Sequence, residues 1–485
     1  MADLALVSAP IADRARRFAP HIALAGGVWL STTQLPWSAL IQLAGLLVAV
    51  GVVACGVRRP DLVAASLIVL LPVQVLALAW LYALGVPAPA VSGLSALKEL
   101  LTASLFLAGI LGFARAPSRR LDTLDRLALA IVGLVAVYLV LGPIITPNTP
   151  GGLGAHLVGL RANAGYVLAF LGARHARWPP GSDRTLLRAA FAAVVVGAAS
   201  VTWHGLRPGS FVDFTTGTVD LLRYQADIVG NDEGLIRQLV ARFRDERRFG
   251  VFLAPLAAGN VLLVGFALAV PMAVARRRPL VGLLVAALCI TGILFTGTRI
   301  ALVGCAVVLL VALRPSVGAT GSRRLNIAVL ALLALALLAP ELTSTRFAGN
   351  TEAQLANTGH VREITTGITR IVENPVGVGL GAGGGTARRF ADGGTELIAG
   401  RSVLAMGVQM GVAAMVIYVS FWLLLLRRSL SAASNAEPAS PIASGSLALL
   451  GLLLASLTNE AMTSLAATTI VFVLVGRGLQ DASDD

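Results

Sequence analysis

The sequence predicts an all-α protein, a polytopic bundle of about 12 to 14 transmembrane helices with two helical loops on the extracytoplasmic side. Three observations support this fold class. Of the 485 residues, 56% are hydrophobic and only 13% are charged, about half the charged fraction of a soluble domain. Apolar runs follow one another along the whole chain. Arginines gather in the connectors between alternate runs, as is typical of cytoplasmic loops.

The apolar runs are the predicted crossings. A helix needs about 20 apolar residues to traverse the hydrocarbon layer of a bilayer, and somewhat shorter runs suffice where flanking residues reach the interface. The predicted crossings are 20–34, 36–56, 62–83, 96–113, 127–145, 158–172, 186–204, 253–274, 280–296, 300–313, 326–340, 403–426, 442–458 and 461–476. An even number of crossings places both termini on one side, and the arginine-bearing connectors predict that this side is cytoplasmic.

The crossings divide the chain into five segments. Transmembrane helices are predicted at the N-terminus (1–204), in the centre (251–340) and at the C-terminus (403–485), separated by two extracytoplasmic loops (205–250 and 341–402). Each outer loop contains equal numbers of arginine and acidic residues, so the formal net charge of +13 comes mainly from the cytoplasmic connectors. This asymmetry indicates contact with anionic membrane lipids and argues against nucleic acid as a partner. The expected location is the cytoplasmic (inner) membrane.

The cysteines and histidines predict neither a metal nor a cofactor. All three cysteines lie inside apolar runs, and no Cys/His spacing typical of a zinc site occurs. The outer loops contain no Asp-x-Asp metal motif. No cleavable signal peptide is expected, because no A-x-A-like site follows the first apolar run.

The first outer loop ends in a predicted amphipathic helix, 232–248. Its apolar residues recur at helical spacing and its arginines occupy the other faces, so the helix is expected to lie in the membrane interface. Arg248 ends this helix, directly before a crossing. A guanidinium at this position can bind two oxygens of a diphosphate at the membrane surface. Simple anchoring to lipid phosphates also explains the helix as a whole.

A second arginine stands at the outer end of a crossing. The tenth crossing opens with TGTRIAL (296–302), which places Arg299 at the outer hydrocarbon boundary. An ionisable side chain at this depth is costly unless it faces a polar cavity or reaches the interface. Two interpretations stay open: Arg299 belongs to a functional site, or its side chain extends to the lipid headgroups.

A helix is also predicted in the second outer loop, at 358–373. Arg362 and Arg370 lie on one polar row of this helix, about two turns apart. The run GVGLGAGGG (377–385) follows. Backbone amides in such a run can converge on an anion, or the chain can pass close to a ligand. A flexible re-entrant turn explains the run equally well. The run lacks the Lys-Ser/Thr of a nucleotide-binding loop.

Together these patterns resemble the O-antigen ligase and polymerase family of membrane glycosyltransferases. The N-terminal crossings match that family only as apolar helices, so the resemblance covers about a third of the chain. It rests on four segments, which are RFG (248–250) with Pro255 and Asn260, TGTR ending at Arg299, Arg362 followed by ENPVGVGLG (373–381), and VQMGVAAMVIYV (408–419).

The resemblance implies an all-α fold similar to the GT-C membrane glycosyltransferases, with a site on the extracytoplasmic side. It implies a glycan donor linked to polyprenyl diphosphate, a glycan or lipid acceptor, and no nucleotide or metal. By resemblance, Arg248, Arg299 and Arg362 bind and neutralise the diphosphate. Arg370 and Arg401 are further candidate contacts. Arginines in such a position would stabilise the charge that develops on the leaving group.

The general base is where this chain departs from the family pattern. Ligases of the family tend to place a His eleven residues before the Gly that opens the next crossing. That glycine is Gly411 here, and the expected position holds Gly400. The remaining candidates are Glu396, His360 and Glu363, of which Glu396 is preferred. The missing His favours a polymerase, or a divergent transferase with another acceptor, over a ligase.

Other classes of protein remain open. A lipid-linked oligosaccharide flippase or other polysaccharide transporter is expected to have broken helices and ionisable residues near the bilayer midplane. This chain places its charges at the ends of crossings instead. A transferase that uses a polyprenyl-monophosphate sugar usually has acidic residues in its first outer loop, and the turn at 34–36 is too short for a site. A non-enzymatic scaffold does not need a glycine run beside an arginine row.

Several polar residues near the ends of crossings have a structural interpretation. His156, Arg161 and Asn163 are expected to mark an irregular interfacial segment, with the lining of a cavity as the alternative. Trp203 and His204 are expected to anchor the end of a crossing at the interface.

Overall fold

A computed structural model describes most of the chain. The predicted crossings 20–34 and 326–340 lie outside the described residues, as do the start of 36–56 and most of the predicted helix 232–248. The described residues are 50–116, 120–145, 152–229, 236, 239–240, 243, 247–274, 279–313, 364–383, 402–457, 459, 461 and 464–481.

Every regular element in these ranges is helical, which confirms the all-α class. The main helices in chain order are α1 (Pro60–Ala83), α2 (Ala88–Ser95), α3 (Leu97–Ala114), α4 (Thr123–Ile145), α5 (Gly152–His175), α6 (Ser182–Leu206), α7 (Pro208–Asp213), α8 (Leu221–Asp227), α9 (Pro255–Val274), α10 (Pro279–Thr296), α11 (Arg299–Leu313), α12 (364–373), α13 (Ser402–Ser434), α14 (Pro441–Ser456) and α15 (Leu465–Asp481). A π-helical turn (Phe214–Thr218) separates α7 from α8, and a 3-10 turn (Gly250–Phe252) precedes α9.

Seven helices of the described part are long and apolar enough to cross a membrane. They are α1, α2 continued by α3, α4, α6, α9, α10 and α13, and the shorter helices α11, α14 and α15 are apolar as well. A bilayer accepts such helices because each satisfies its backbone hydrogen bonds internally. The chain is therefore a multi-pass membrane protein, as its composition predicts.

Helix α5 carries polar residues along its first half and yet lies inside the bundle. It packs against α3, α4 and α15, and His156 and Asn163 are each only 1% exposed. The helix is continuous over 24 residues, so the prediction of an irregular segment around these residues is wrong. Protein neighbours surround the polar side chains, and a regular helix tolerates them because they do not face hydrocarbon.

Helices α3 and α5 run parallel and touch through glycines. A β-carbon at Gly109 would lie 2.8 Å from the Cα of Gly172, and one at Gly172 would lie 2.7 Å from the carbonyl group of Leu105. Gly112 approaches the backbone of His175 in the same way. Small residues at such an interface bring two membrane helices into backbone contact. The glycines therefore fix the height of α5 relative to α3.

Ion pairs hold one end of the bundle, which we call the ion-pair end. Arg174 at the end of α5 lies 2.6 Å from Asp122 and 3.1 Å from Asp125. His175 Nε2 also lies 3.1 Å from Asp125, and Arg428 of α13 pairs with Asp122. Burial raises the pKa of Asp122, but the hydrogen bond from the Asp125 backbone and the charges of Arg174 and Arg428 outweigh it. The net pKa of this carboxyl therefore lies below its ordinary value.

The opposite end carries the loops, and we call it the loop end. Here Tyr82 at the end of α1 donates a hydrogen bond of 2.7 Å to Asp227 at the end of α8. The long helices from α1 to α6 alternate in direction, so the arginine-bearing connectors at 58–59 and 174–184 lie at the ion-pair end. The pair between Arg428 and Asp122 places 427–428 at the same end. The short helices α2, α7 and α8 were not predicted from the sequence, because each is too short to show a helical period.

Candidate functional site

The turn between α10 and α11 forms one part of the candidate site at the loop end. The hydroxyls of Thr296 and Thr298 lie 2.9 Å apart, and the Thr298 hydroxyl donates to the Pro255 carbonyl at 3.3 Å. Gly297 has a φ of +63°, which L-residues rarely adopt. The first three residues of the TGTR motif thus shape the turn. The fourth, Arg299, is the first residue of α11 and its side chain is exposed.

Two arginines from the end of the first loop are fixed at the same turn. The backbone N–H of Arg248 donates to the Phe295 carbonyl at 2.9 Å. The Nε of Arg247, 49 residues before Thr296 in the sequence, donates to the Thr296 carbonyl at 2.9 Å. The fold therefore brings Arg247, Arg248 and Arg299 to one place, which we call the arginine turn. Arg247 was not among the site residues predicted from the sequence.

The RFG segment positions Arg248 through the two residues that follow it. Phe249 is fully buried, and Gly250 has a φ of +54°. A β-carbon at Gly250 would lie 2.7 Å from the backbone nitrogen of Val201 on α6. Only glycine fits this approach, so the chain directly after Arg248 is held against α6.

His204 on α6 completes this anchor, beyond the interfacial role that the sequence suggested. Its Nδ1 accepts the backbone N–H groups of Phe249 and Gly250, both at 3.4 Å. Its ring stacks on Phe211 with the centroids 4.2 Å apart. An imidazole whose Nδ1 is an acceptor carries its proton on Nε2. His204 is fully buried, so its role is to orient the backbone that carries Arg248.

The glycine run forms a second ordered element at the loop end. The N–H of Val378 donates to the carbonyl of Val408 at 2.8 Å, and that of Gly379 to the carbonyl of Gln409 at 3.1 Å. These amides are already paired within the protein, so they do not converge on an anion. The left-handed conformations that permit this path have φ values of +88° at Gly377, +117° at Gly379 and +85° at Gly381.

The pairing is possible because α13 is interrupted. At Gly411 the φ and ψ angles are 80° and −178°, so the helical hydrogen bonds stop and nearby carbonyls can accept from the glycine run. The N–H of Val412 in turn donates to the Pro375 carbonyl at 3.0 Å. A β-carbon at Gly411 would lie 2.8 Å from the carbonyl carbon of Val376. The break in α13 therefore holds the glycine run in place.

The Gln409 side chain joins the glycine run to α5. Its Oε1 accepts from the Gly381 N–H at 2.8 Å and from Asn163 Nδ2 at 3.1 Å, and the residue is 3% exposed. From α4, the Tyr138 hydroxyl donates to the carbonyl of Val376. Sequence reasoning missed these partners. The signal that could have found Gln409 is an amide placed at the start of an apolar crossing, because a buried amide needs hydrogen-bond partners.

The predicted helix of the second loop is present as α12. Arg370 is exposed near its end, and the Arg370 carbonyl accepts the N–H of Asn374 at 2.9 Å. Ile371 packs against Val408, so α12 rests on α13 beside the glycine run. The remaining predicted site residues lie outside the described residues. They are His360, Arg362, Glu363, Glu396 and Arg401.

The arginine turn suits an anion that offers several oxygens. Guanidinium groups bind phosphate oxygens through paired N–H donors, and the positive end of the α11 dipole lies at Arg299. Within the described ranges, no group of three or more His, Cys, Asp or Glu side chains could hold a metal ion. No protein-family model and no curated protein matches the chain, so the geometry of the loop end carries the functional argument.

Proposed function

We propose that the chain is a membrane glycosyltransferase of cell-surface polysaccharide assembly. It joins a glycan from a polyprenyl-diphosphate donor to a glycan or lipid acceptor at the extracytoplasmic face of the cytoplasmic membrane, as a polymerase rather than a ligase. The observation that carries this proposal is the arginine turn, where two segments far apart in sequence bring Arg247, Arg248 and Arg299 to the start of one helix. The resemblance to the O-antigen ligase and polymerase family rests on the same RFG and TGTR segments.

In the proposed reaction, the oxygen of an acceptor hydroxyl attacks the anomeric carbon of the donor glycan. The bond from that carbon to the diphosphate oxygen breaks, and its electron pair stays on the diphosphate. The hydroxyl proton passes to a general base, for which Glu396 is the preferred candidate and His360 the second. Negative charge increases on the diphosphate in the transition state, where Arg248 and Arg299 stabilise it.

The second loop is proposed to supply the remaining contacts to the diphosphate. Arg362, Arg370 and Arg401 are the candidates. The hydrogen bonds from the glycine run to α13 and the contact of Ile371 with Val408 support this role, because they hold the helix that carries Arg370 against α13. Preorganised cations stabilise a transition state without having to move during the reaction.

The proposal is tested with the purified chain in nanodiscs and a polyprenyl-diphosphate-linked oligosaccharide. Products longer by whole repeat units support a polymerase, and transfer to a lipid acceptor supports a ligase. Arg248→Ala and Arg299→Ala are each expected to lower turnover about 100-fold or more, the loss typical when one donor to a developing anion is removed. Arg223→Ala is the matched control, because Arg223 is an exposed arginine of the loop end paired with Asp220 and Asp227.

Two outcomes would count against the proposal at different levels. Turnover in both arginine variants equal to that of Arg223→Ala would refute the assignment of the arginine turn. Absence of glycan transfer by the wild-type chain, with glycan and lipid acceptors both supplied, would refute the proposed activity.

A lipid-linked oligosaccharide flippase, or another polysaccharide transporter, is the second candidate function. The interruption of α13 at Gly411 favours it, because discontinuous membrane helices are typical of transporters. Proteoliposomes loaded with a fluorescent lipid-linked donor discriminate the two functions. Movement of the intact donor across the bilayer without bond formation would support the transporter, and bond formation without movement would support the transferase.

A further inference from the structure

A cavity of about 380 Å³ opens between α1, α3, α5 and α15 and shares no residue with the arginine turn or the glycine run. Most of its lining is apolar and includes Leu71, Leu157, Leu168 and Leu465. Ligand sites in proteins typically have volumes of about 300 to 1,000 Å³. A cavity at the small end of this range suits one hydrocarbon chain better than two.

Three charged side chains line the same cavity. Lys98 Nζ and Arg161 Nη1 each lie 3.5 Å from one oxygen, Glu99 Oε1. Two cations facing one carboxylate leave an excess of one positive charge. A guanidinium has five N–H donors, and within the described part of the chain the only partner of Arg161 is Glu99. The group therefore has both the charge and the donors to bind an anion.

The depth of Arg161 in the bundle is the second observation. His175 marks the ion-pair end of α5, and Arg161 lies fourteen residues earlier, about 21 Å along the helix axis. The hydrocarbon layer of a bilayer is about 30 Å thick. With His175 at one surface of this layer, Arg161 lies inside the layer, on the side of the loop end. An arginine within a membrane helix that faces a cavity indicates a functional site.

Below the charged group the lining of the cavity is mainly apolar, with Thr102 and Thr469 as its polar residues. Ala164, Gly165 and Leu168 follow Arg161 on one face of α5 and line the cavity with it. Leu168 lies two helical turns deeper than Arg161, about 10 Å nearer to the ion-pair end. A cavity with cationic side chains at one level and a mainly apolar lining below them fits a molecule with an anionic head and a hydrocarbon tail.

We propose that this cavity binds a lipid with a phosphate headgroup and a single hydrocarbon chain. The phosphate lies between Lys98 and Arg161, and the chain follows Leu168 towards the bilayer centre. A neutral lipid would leave the positive charge uncompensated, and free phosphate would leave the apolar channel empty. This inference does not depend on the proposed glycosyltransferase activity.

The test uses the full chain in nanodiscs of zwitterionic lipid with a diazirine analogue of farnesyl phosphate. Photolabelling is expected on peptides that contain 157–168 or 465–469, and unlabelled farnesyl phosphate is expected to suppress it. Farnesol and inorganic phosphate are the matched competitors, since farnesol has the hydrocarbon chain without the phosphate and inorganic phosphate has no chain. Competition by either one at the concentration at which farnesyl phosphate competes would overturn the proposal.

Variants of the cavity provide the second arm. Lys98→Met and Arg161→Met are each expected to weaken binding about fivefold, the effect of one cation close to a membrane anion. Gly165→Leu should abolish labelling by filling the cavity, because a β-carbon there meets only Leu465 Cδ1, at 3.7 Å. Gly133→Leu is its control, because a β-carbon at Gly133 on α4 meets open space.

The charge variants and the cavity variant fail in different ways. Undiminished affinity in Lys98→Met and Arg161→Met, or full labelling of a folded Gly165→Leu, would refute the site. If Gly165→Leu lowers the unfolding temperature more than Gly133→Leu does, its loss of labelling reflects a damaged fold. The binding site is then tested by Lys98→Met and Arg161→Met alone.

Discussion

Replacing Gly381 by alanine is expected to destabilise the protein by about 2 to 5 kcal/mol, from two effects that add. The φ of Gly381 is +85°, and an L-residue in this left-handed region costs about 1 to 2 kcal/mol. The new β-carbon would also lie 2.7 Å from the carbonyl carbon of Ala155 on α5. Crowding of this kind in a packed region costs about 1 to 3 kcal/mol more.

Gly85→Ala separates the two effects, because Gly85 has a φ of +87° and a β-carbon there meets nothing within 4 Å. The loss of unfolding free energy in this variant is expected to come only from the left-handed backbone conformation. Denaturant unfolding of the purified chain in detergent, followed by tryptophan fluorescence, gives the free energy of unfolding for each. Gly381→Ala should unfold at a lower denaturant concentration than Gly85→Ala, and both below wild type. Equal losses in the two variants would refute the close packing of the glycine run on α5.

Three further predictions concern the hydrogen bonds of Gln409, the ion-pair end and the contacts of His204. Gln409→Met removes the acceptor shared by Gly381 and Asn163 while keeping a similar volume, and should cost about 1 to 3 kcal/mol of unfolding free energy. An unchanged value would contradict the role of these two hydrogen bonds in holding the glycine run. Asp122→Asn should destabilise the chain at pH 7, by a margin that shrinks as the pH falls below 3.8. The lowered pKa means that the ionised carboxyl stabilises the fold above this range and that protonation removes the effect, so a margin constant from pH 7 to 3 would be the contrary result. His204→Ala removes the acceptor of two backbone N–H groups and should lower both the unfolding midpoint and donor affinity; a loss of stability with unchanged donor affinity would show that His204 does not position Arg248.

The crossings in the described ranges could be predicted closely from the sequence. The runs 96–113 and 280–296 correspond to α3 (Leu97–Ala114) and α10 (Pro279–Thr296). Apolar length and terminal arginines carry this information locally, because the bilayer acts on each helix separately. Helix α5 was predicted less well, as 158–172, because its first turns depend on protein neighbours that no local pattern shows.

The candidate site could be predicted only in part. The RFG and TGTR segments pointed to Arg248 and Arg299, and the fold places both at one turn. The contribution of Arg247 was not foreseeable, since its hydrogen bond reaches across 49 residues of sequence. The glycine run was recognised as unusual, but its partner Gln409 depends on the break in α13, a tertiary feature.

The seam of glycines between α3 and α5 also sets the position of a charge far from it. Arg161 lies eleven residues before Gly172, about 16 Å along the axis of α5. It cannot shift along this axis while the backbones of α3 and α5 stay in contact. One residue inserted between Arg161 and Gly172 would turn the guanidinium by about 100° around the helix and displace it by about 1.5 Å. The side chain would then leave Glu99. How deep this cation sits in the membrane is thus decided by residues that have no charge at all.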